Sequence, residues 1–141
     1  MTNFGDVGQF HHKMGLPSVI HDGGPKPVDL EDPDVVDMLD LKYRHMTEEL
    51  QDEYREAWFN SDVIKMADAL VDLVYVALGA AHFLGLPWEQ LWNEVHRANM
   101  RKERAHPGNP GTRSSTNDVV KPPGFKGPDI RAVLERFGWE F

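Results

Sequence analysis

The sequence predicts an all-α protein, built as a bundle of about four main helices with an extended C-terminal arm. Three observations indicate this fold class. Apolar residues recur at three- and four-residue intervals over most of the chain. Proline, aspartate and asparagine stand where helices would begin, and glycine or proline stands where they would end. No stretch shows the strict alternation of a half-buried strand, so no strand is predicted.

The first two helices are predicted from apolar spacing and from proline positions. A short helix covers Phe4 to Met14 and ends before Gly15-Leu16-Pro17. A glycine- and proline-containing loop follows, and the second helix begins at Pro33 and runs to Phe59. Its expected core stripe is Leu39, Tyr43, Met46, Leu50, Tyr54 and Ala57.

Two further helices and an arm complete the predicted order. The turn Asn60-Ser61-Asp62 provides an N-cap for a third helix that reaches Gly85, and Pro87 opens a fourth. From His106 the chain is too polar and broken for regular structure until Pro128-Asp129 caps a short amphipathic segment. We expect residues 1–105 and 106–141 to form one structural unit.

Composition narrows the function classes. The 141 residues are 40% hydrophobic, which is enough for one compact domain. A formal charge of −8 argues against binding to nucleic acid polymers or anionic membranes. The apolar stretch from Leu73 to Leu86 is shorter than the ~20 residues that span a bilayer. With no cysteine and no secretory pattern at the N-terminus, we expect a cytoplasmic protein, in the host cytoplasm if phage-encoded.

Four carboxylates form the candidate metal site. Glu49 and Glu53 lie one turn apart on the second helix, and Asp68 and Asp72 lie one turn apart on the third. The apolar circumference of the third helix predicts that its two acids are buried, where like charges need a counter-cation. Oxygen-only ligands favour Mg²⁺ or Mn²⁺. The alternative is a solvated acidic face, which we expect for the remaining acids of the second helix, Glu48, Asp52 and Glu56.

The end of the fourth helix carries residue types that bind phosphate. His96, Asn99 and Lys102 follow one another at three-residue steps and therefore lie near one another. Cations at a helix C-terminus also complement the helix dipole, and that explanation is sufficient for Arg97 and Arg101. Among the other histidines, His82 is expected to be a buried or interfacial side chain.

Three segments taken in order resemble a known family. They are Glu49 to Glu53, then Asp68-Ala-Leu-Val-Asp72-Leu-Val-Tyr75, then Glu94-Val-His96-Arg-Ala-Asn99-Met-Arg-Lys102. Together they resemble the all-α nucleotide pyrophosphohydrolases of the MazG and phosphoribosyl-ATP-pyrophosphohydrolase-like type, particularly the small phage members. The family pattern is Glu-x-x-Glu on one helix and Glu-x-x-Asp on the next. This chain departs from it, with Leu50 and Ala69 at positions where glutamates are expected.

The resemblance implies hydrolysis of a (deoxy)nucleoside triphosphate to its monophosphate and pyrophosphate. In that role Glu49, Glu53, Asp68 and Asp72 bind the metal, with Glu49, Glu53 and Asp72 also catalytic, while Asn99, Lys102 and His96 contact phosphate. The first helix, the loop after it and the third helix would build the base pocket, with Phe10, His11, Tyr75 and Trp58 as candidate contacts. The small phage members make guanine nucleotides, dGTP or GTP, the favoured substrates. Relatives assemble as homodimers or homotetramers, so oligomerisation is expected to complete the bundle.

Two alternatives stay open. The protein could be a house-cleaning enzyme that acts on dUTP, dCTP or damaged deoxynucleotides, as other relatives do. It could also be a non-catalytic helical protein that binds a nucleotide or a partner, with the acidic helices merely solvated. Metal-dependent release of pyrophosphate distinguishes the enzyme from the second alternative.

Overall fold

The structure of the protein, a computed structural model, describes residues 2–141 and is mostly helical. The predicted all-α class is therefore confirmed. The chain forms two compact units, the first comprising residues 2–87 with Phe137–Phe141 and the second Trp88–Arg136. This division falls at a different place from the predicted segments 1–105 and 106–141, whose description as one structural unit stays a prediction.

Helix α1 (Asn3–Lys13) opens the first unit close to its predicted bounds. The Thr2 hydroxyl caps the helix by accepting a hydrogen bond from the Gly5 N–H at 3.1 Å. An acid in the first turn, Asp6, and basic residues in the last turn suit the helix dipole. Local sequence therefore determines both ends of this helix.

The predicted second helix, residues 33–59, is continuous but not uniform. Helix α2 (Pro33–Thr47) passes into a π-helical segment (Glu48–Tyr54) and then into α3 (Arg55–Phe59). The Arg55 N–H donates to the Leu50 carbonyl, which is the five-residue spacing of a π-helix. The predicted range is confirmed, whereas the π-helical segment was not predicted. It contains Glu49 and Glu53.

Helix α4 (Val63–Phe83) packs against α1, α2 and the π-helical segment. As predicted, Asp62 caps it, with its side chain accepting from the Lys65 N–H at 3.1 Å. Only the C-terminal half of α4 is well buried, and Leu78, Gly79, Ala81, His82 and Phe83 form the buried stretch there. The other half leaves a broad apolar face exposed.

The expected core stripe of the second helix is wrong at two of its six positions, whereas Leu39, Met46 and Tyr54 are half-buried. Ala57 is buried, but Tyr43 is 66% exposed and Leu50 is 47% exposed. The reason is that α2 and the π-helical segment pack on α4 along one side, while Tyr43 and Leu50 lie on a side that is exposed. Helical periodicity identifies an apolar face but does not say whether the same chain covers it.

The second unit contains α5 (Trp88–Asn99), β1 (Glu103–Arg104), β2 (Val119–Val120) and α6 (Ile130–Glu135). The expectation of no strand and of an arm without regular structure is wrong, because β1 and β2 pair antiparallel. The loop between them folds back through an Ala105 N–H bond to the Asp118 carbonyl at 2.9 Å. Strands of two residues are too short to leave a pattern in the sequence.

The predicted C-terminal amphipathic segment is confirmed as α6. The Asp129 side chain accepts from the Ala132 N–H at 3.0 Å, and Val133 is buried. None of the helices within residues 2–141 combines the length and the apolar composition needed to cross a membrane.

Candidate functional site

The four predicted carboxylates lie close enough to interact electrostatically across two helices. The pKa of Glu49 is raised, first by burial and then by the negative charges of Asp72, Glu53, Glu48 and Asp68, in that order. All four of the charges that contribute to this raised pKa are acids. The π-helical segment and α4 thus bring Glu49, Glu53, Asp68 and Asp72 into one group, called here the acid cluster.

The acid cluster is more exposed than expected. Glu49 is half-buried, whereas Glu53, Asp68 and Asp72 are exposed, so the predicted burial of the two aspartates is wrong for the described chain. The apolar residues that were expected to bury them are themselves open, with Val71 64% and Val74 50% exposed. Solvent therefore reaches the cluster from the α4 side.

The acid cluster has the chemistry of a divalent-cation site but not its assembled geometry. Within residues 2–141, none of its four side chains makes a hydrogen bond or an ion pair. Their oxygens are the ligand type that Mg²⁺ and Mn²⁺ prefer. In the same described range, no three His, Asp or Glu side chains come close enough together to hold a metal ion. The donor set fits such a cation, and the side chains would have to rotate to surround it.

A cavity of about 550 Å³ lies between α1 and α4 in the same unit. Its walls are mostly apolar, and three polar side chains, Asn3, Asp6 and Tyr75, reach it. The Tyr75 ring meets Phe10 edge-on, with centroids 5.6 Å apart. Burial, and then the charge of Asp6, raises the pKa of Tyr75. Of the expected base contacts, Tyr75 lines this cavity and Phe10 packs beside it.

Asn3 and Asp6 were not among the site residues predicted from the sequence. Both lie on α1 among apolar neighbours, and Asp6 also serves the helix dipole in the first turn. The one available signal was the spacing of Asp6 and Phe10, which places them on the same face of α1.

His11 is placed in the core rather than at a surface. Its side chain is 1% exposed, and its Nδ1–H donates to the Pro17 carbonyl at 2.7 Å. Burial lowers the pKa of His11, and the charge of Lys42 adds to the lowering. A direct nucleotide contact by His11 stays a prediction.

His82 is also buried, as expected from the sequence. The Val19 N–H donates to its Nδ1 at 3.0 Å, so the ring carries its proton on Nε2 and donates from there to the Phe4 carbonyl at 2.9 Å. Its ring stacks on that of Phe4, with centroids 3.9 Å apart. His82 therefore joins α1, α4 and the loop after α1.

The predicted phosphate contacts belong to the second unit. His96 and Asn99 are exposed near the end of α5, and Lys102 is half-buried just before β1. Lys102 lines a second cavity, of about 590 Å³, together with Arg113 and Lys121. Of the three predicted residues, Lys102 alone lines this cavity.

Comparison with known proteins gives one result about the family. No curated protein matches the chain. The model of the phosphoribosyl-ATP pyrophosphohydrolase family matches residues 26–99, which is just over half of the 141 residues and includes the whole acid cluster. The chain therefore belongs to the phosphoribosyl-ATP pyrophosphohydrolase family.

Proposed function

We propose that the protein hydrolyses a (deoxy)nucleoside triphosphate to the monophosphate and pyrophosphate, with Mg²⁺ or Mn²⁺ and with guanine nucleotides favoured. Family membership makes it a nucleotide pyrophosphohydrolase. The observation that carries the proposal is the acid cluster, in which the charges of Asp72, Glu53, Glu48 and Asp68 raise the pKa of Glu49. A cluster of this kind is stabilised by a cation bound among its oxygens.

The residues of the acid cluster would bind the cation and take part in catalysis. Glu49, Glu53, Asp68 and Asp72 would hold the divalent cation, which when bound would neutralise polyphosphate charge and make water a better nucleophile. Glu49, Glu53 and Asp72 are the catalytic candidates, and one of these carboxylates would orient the attacking water and accept its proton.

Phosphate binding is assigned to the second unit. Lys102 and the amide of Asn99 are donors suited to phosphate oxygens, and His96 can add a third hydrogen bond. The charge of the second unit supports this assignment, since it has nine Lys and Arg against six Asp and Glu. The first unit has six against 17, so an anion would be repelled there without a cation.

The cavity between α1 and α4 supports a purine, and specifically guanine. Its apolar walls and the Tyr75 ring suit a flat heterocycle. The Asp6 carboxylate can accept two parallel hydrogen bonds, and guanine presents two adjacent donors, N1–H and the 2-amino group. Uracil and cytosine do not offer that pair.

We also propose that a second copy of the chain covers the exposed apolar face of α4. Val63 and Ile64 of α4 are at least 72% exposed and do not line the cavity between α1 and α4, and Trp58 and Phe59 just before that helix are at least 58% exposed. A homodimer or homotetramer would bury them and complete the core that the first unit leaves open.

Pyrophosphate release is the direct test. Ribo- and deoxynucleoside triphosphates are compared with Mg²⁺, Mn²⁺ or EDTA, using the native protein, Asp72→Asn and the control Asp37→Asn. Asp37 is an exposed acid of α2 that does not contribute to the raised pKa of Glu49. We expect metal-dependent release, fastest with dGTP or GTP, to be lost in Asp72→Asn and kept in Asp37→Asn.

Other outcomes would redirect the proposal. Faster turnover of dUTP or dCTP would favour the house-cleaning alternative and contradict the guanine preference. No release from any nucleotide by the folded protein would favour the non-catalytic binding alternative. That alternative has one supporting observation, the lack of three converging metal ligands within residues 2–141.

A further inference from the structure

Four of the seven histidines of the chain lie together in the first unit. His11 and His82 are buried, and their ring centroids lie 5.3 Å apart. His12 and His21 are exposed, and their rings stack with centroids 4.2 Å apart. We call these four side chains the histidine cluster. The proposed function gives no role to His12, His21 or His82, so the cluster needs an explanation of its own.

The histidine cluster attaches the loop after α1 to the helices. Within residues 2–141, two helix side chains hydrogen-bond to the backbone of residues 17–22, called here the latch loop, and both are histidines. The His11 Nδ1–H donates to the Pro17 carbonyl at 2.7 Å. The Val19 N–H donates to His82 Nδ1 at 3.0 Å. Histidine is the side chain whose charge ordinarily changes between about pH 5 and pH 8, so these attachments are exposed to pH.

The two buried histidines differ in what a second proton does to their bonds. His82 already carries one proton on Nε2, which donates to the Phe4 carbonyl at 2.9 Å. A second proton can enter only at Nδ1, where the new N–H would point at the Val19 N–H. Charged His82 therefore cannot keep its bond to the latch loop. His11 would take its second proton on Nε2, so its own bond to Pro17 survives.

The closed loop disfavours charged His82. Burial is the largest cause of its lowered pKa, and the charges of His11 and His21 add to the lowering. The bond to the Phe4 carbonyl and the charge of Asp22 act in the opposite direction without reversing the shift. An imidazole in water has a pKa of about 6.5. Opening of the loop, which lets water reach the ring, is therefore linked to proton uptake.

The groups around His82 include little negative charge. The charged and titratable groups that face it or its neighbour His11 are His11 on α1, His21, Asp22 and Lys26 after α1, and Lys42 on α2. Asp22 is the one carboxylate among them, and it already accepts from the Ser18 N–H at 2.7 Å. A charged His82 would thus face more cations than anions while it is buried.

Packing holds the latch loop only weakly. Of its six residues Ser18 and Val19 alone are buried, and Ile20 is 51% exposed. A cavity of about 140 Å³ lies between the loop and α4, with Val19, His82 and Phe83 among its lining residues. Segments with few buried apolar contacts open locally at a lower free energy than the core does. The bond between His82 and Val19 is consequently a large part of what keeps this loop on α4.

We infer that residues 17–22 form a pH-dependent latch, in which proton uptake by His82 below about pH 6.5 breaks its bond to Val19 and releases the loop from α4. Helix α1 leads directly into this loop, and Asn3 and Asp6 of α1 line the cavity between α1 and α4. Release of the loop removes one restraint on the helix that forms a wall of that cavity. The latch does not depend on nucleotide turnover.

Hydrogen exchange of the Val19 amide tests the latch in the full chain, by NMR in EDTA without nucleotide. The quantity compared is the protection factor, which corrects for the intrinsic pH dependence of exchange. We expect it to fall ~10-fold between about pH 7.5 and pH 5.5, because opening takes up one proton. The Leu78 amide, in the buried half of α4, should keep its protection, since the loop opens while the core stays folded.

Two variants assign the pH dependence to one residue. His82→Asn keeps an acceptor near the position of Nδ1 but takes up no proton in this range, so the protection of Val19 should no longer vary with pH. The control is His12→Asn, which removes an exposed imidazole that stacks on His21 and does not bond to the latch loop backbone. It should keep the native pH dependence.

A measurement on the native protein covers the case in which His82→Asn does not fold. The chemical shifts of the His82 ring nitrogens report its protonation directly. We expect His82 to become charged over the same pH range in which the Val19 amide loses protection. Protonation in a range where that amide stays protected would contradict the latch.

Three further results would overturn the latch. The first is protection of Val19 that stays constant down to about pH 5, well below the ordinary histidine pKa. The second is equal and simultaneous loss of protection at Val19 and Leu78, which would mean global unfolding. The third is native pH dependence in folded His82→Asn, or its loss in His12→Asn, which would assign the opening to another group.

Discussion

At the scale of single residues, His82 has more structural consequence than its polarity suggests. It is 2% exposed, and both ring nitrogens are used by backbone groups from other segments, the Val19 N–H and the Phe4 carbonyl. These bonds fix its tautomer. Burial is the main cause of its lowered pKa, so the ring is held neutral.

Replacing His82 by leucine should therefore be costly. His82→Leu fills much of the same space with an apolar side chain but leaves the buried Val19 N–H without its acceptor, at about 1–3 kcal/mol, and also removes the bond to the Phe4 carbonyl. We expect a loss of about 1–4 kcal/mol in the free energy of unfolding, measured by urea denaturation. His12→Leu is the control, since His12 is exposed and only stacks on His21. A loss as large in the control would contradict the role assigned to the His82 bonds.

Glu49 gives a pH-dependent prediction. Its pKa is raised in the folded protein, so the folded state binds a proton more tightly than the unfolded state does. The contribution of Glu49 to the free energy of unfolding is then fully present below the ordinary glutamate pKa of about 4.3. It is lost as the pH rises through the raised pKa of the folded state. Glu49→Gln cannot lose a proton, so it should unfold at a higher temperature than the native protein at pH 7.

The measurement is thermal unfolding of the metal-free protein between pH 4 and pH 8. The advantage of Glu49→Gln should shrink towards pH 4, where the native glutamate is also neutral. Glu56→Gln, an exposed acid that does not contribute to the raised pKa of Glu49, should gain little. Destabilisation by Glu49→Gln at pH 7 in EDTA would show that the cluster is not a site of charge repulsion.

At the scale of elements, the close approach of α1 and α4 depends on Gly8. A Cβ at this position would lie 2.8 Å from His82 Cε1 and 3.2 Å from the Ser18 hydroxyl. The His82 ring cannot yield readily, because two backbone bonds hold it. The absence of a side chain at Gly8 is thus what lets the two helices share this histidine.

Gly8→Ala should consequently destabilise the protein despite the better helix propensity of alanine. Propensity alone would add up to ~1 kcal/mol, but crowding in a packed core costs about 1–3 kcal/mol. We expect a net loss in the free energy of unfolding, measured by urea denaturation. Gly127→Ala should be neutral, because nothing lies within 4 Å of its added Cβ. A more stable Gly8→Ala variant would mean that α1 and α4 can move apart.

The helices and strands also show which features of the fold could be predicted from the sequence. Helix starts at Pro33, Asp62 and Asp129 were predictable because caps act within a few residues of the chain. The pairing of β1 with β2 was not, because it depends on contacts made across a fifteen-residue separation that leave no periodic pattern.

The candidate site was predictable to a similar degree. Residue type and turn spacing were enough to select the acid cluster, since the carboxylates recur on one face of each helix. Their exposure was not predictable, because the apolar circumference of α4 does not say which side a partner covers. Asp6 was not predicted as a site residue for a similar reason, because the cavity that it lines forms only where α1 packs on α4.

At the scale of the whole molecule, charge and apolar surface are unevenly distributed. The first unit has 11 more acids than bases, whereas the second has three more bases than acids, from 17 against six and nine against six. The first unit also exposes the apolar face of α4. Self-association of this unit through its exposed apolar face would remove apolar surface from water.

Size in solution tests this association. We expect the native protein to have the mass of a dimer or tetramer by light scattering, and Ile64→Glu to shift it towards the monomer. Leu30→Glu is the control, because Leu30 is 52% exposed in a loop outside α4. A monomeric native protein would contradict the proposed assembly.

The π-helical segment bears on how relatives of this chain are recognised. Each of its hydrogen bonds spans one residue more than in an α-helix, so the same length of helix holds an extra residue. Glu49 and Glu53, four residues apart, can thereby occupy positions that the family's Glu-x-x-Glu pattern reaches with three. Motif searches with a rigid residue count would overlook chains built this way. A search profile that permits one inserted residue between the paired acids would retrieve them.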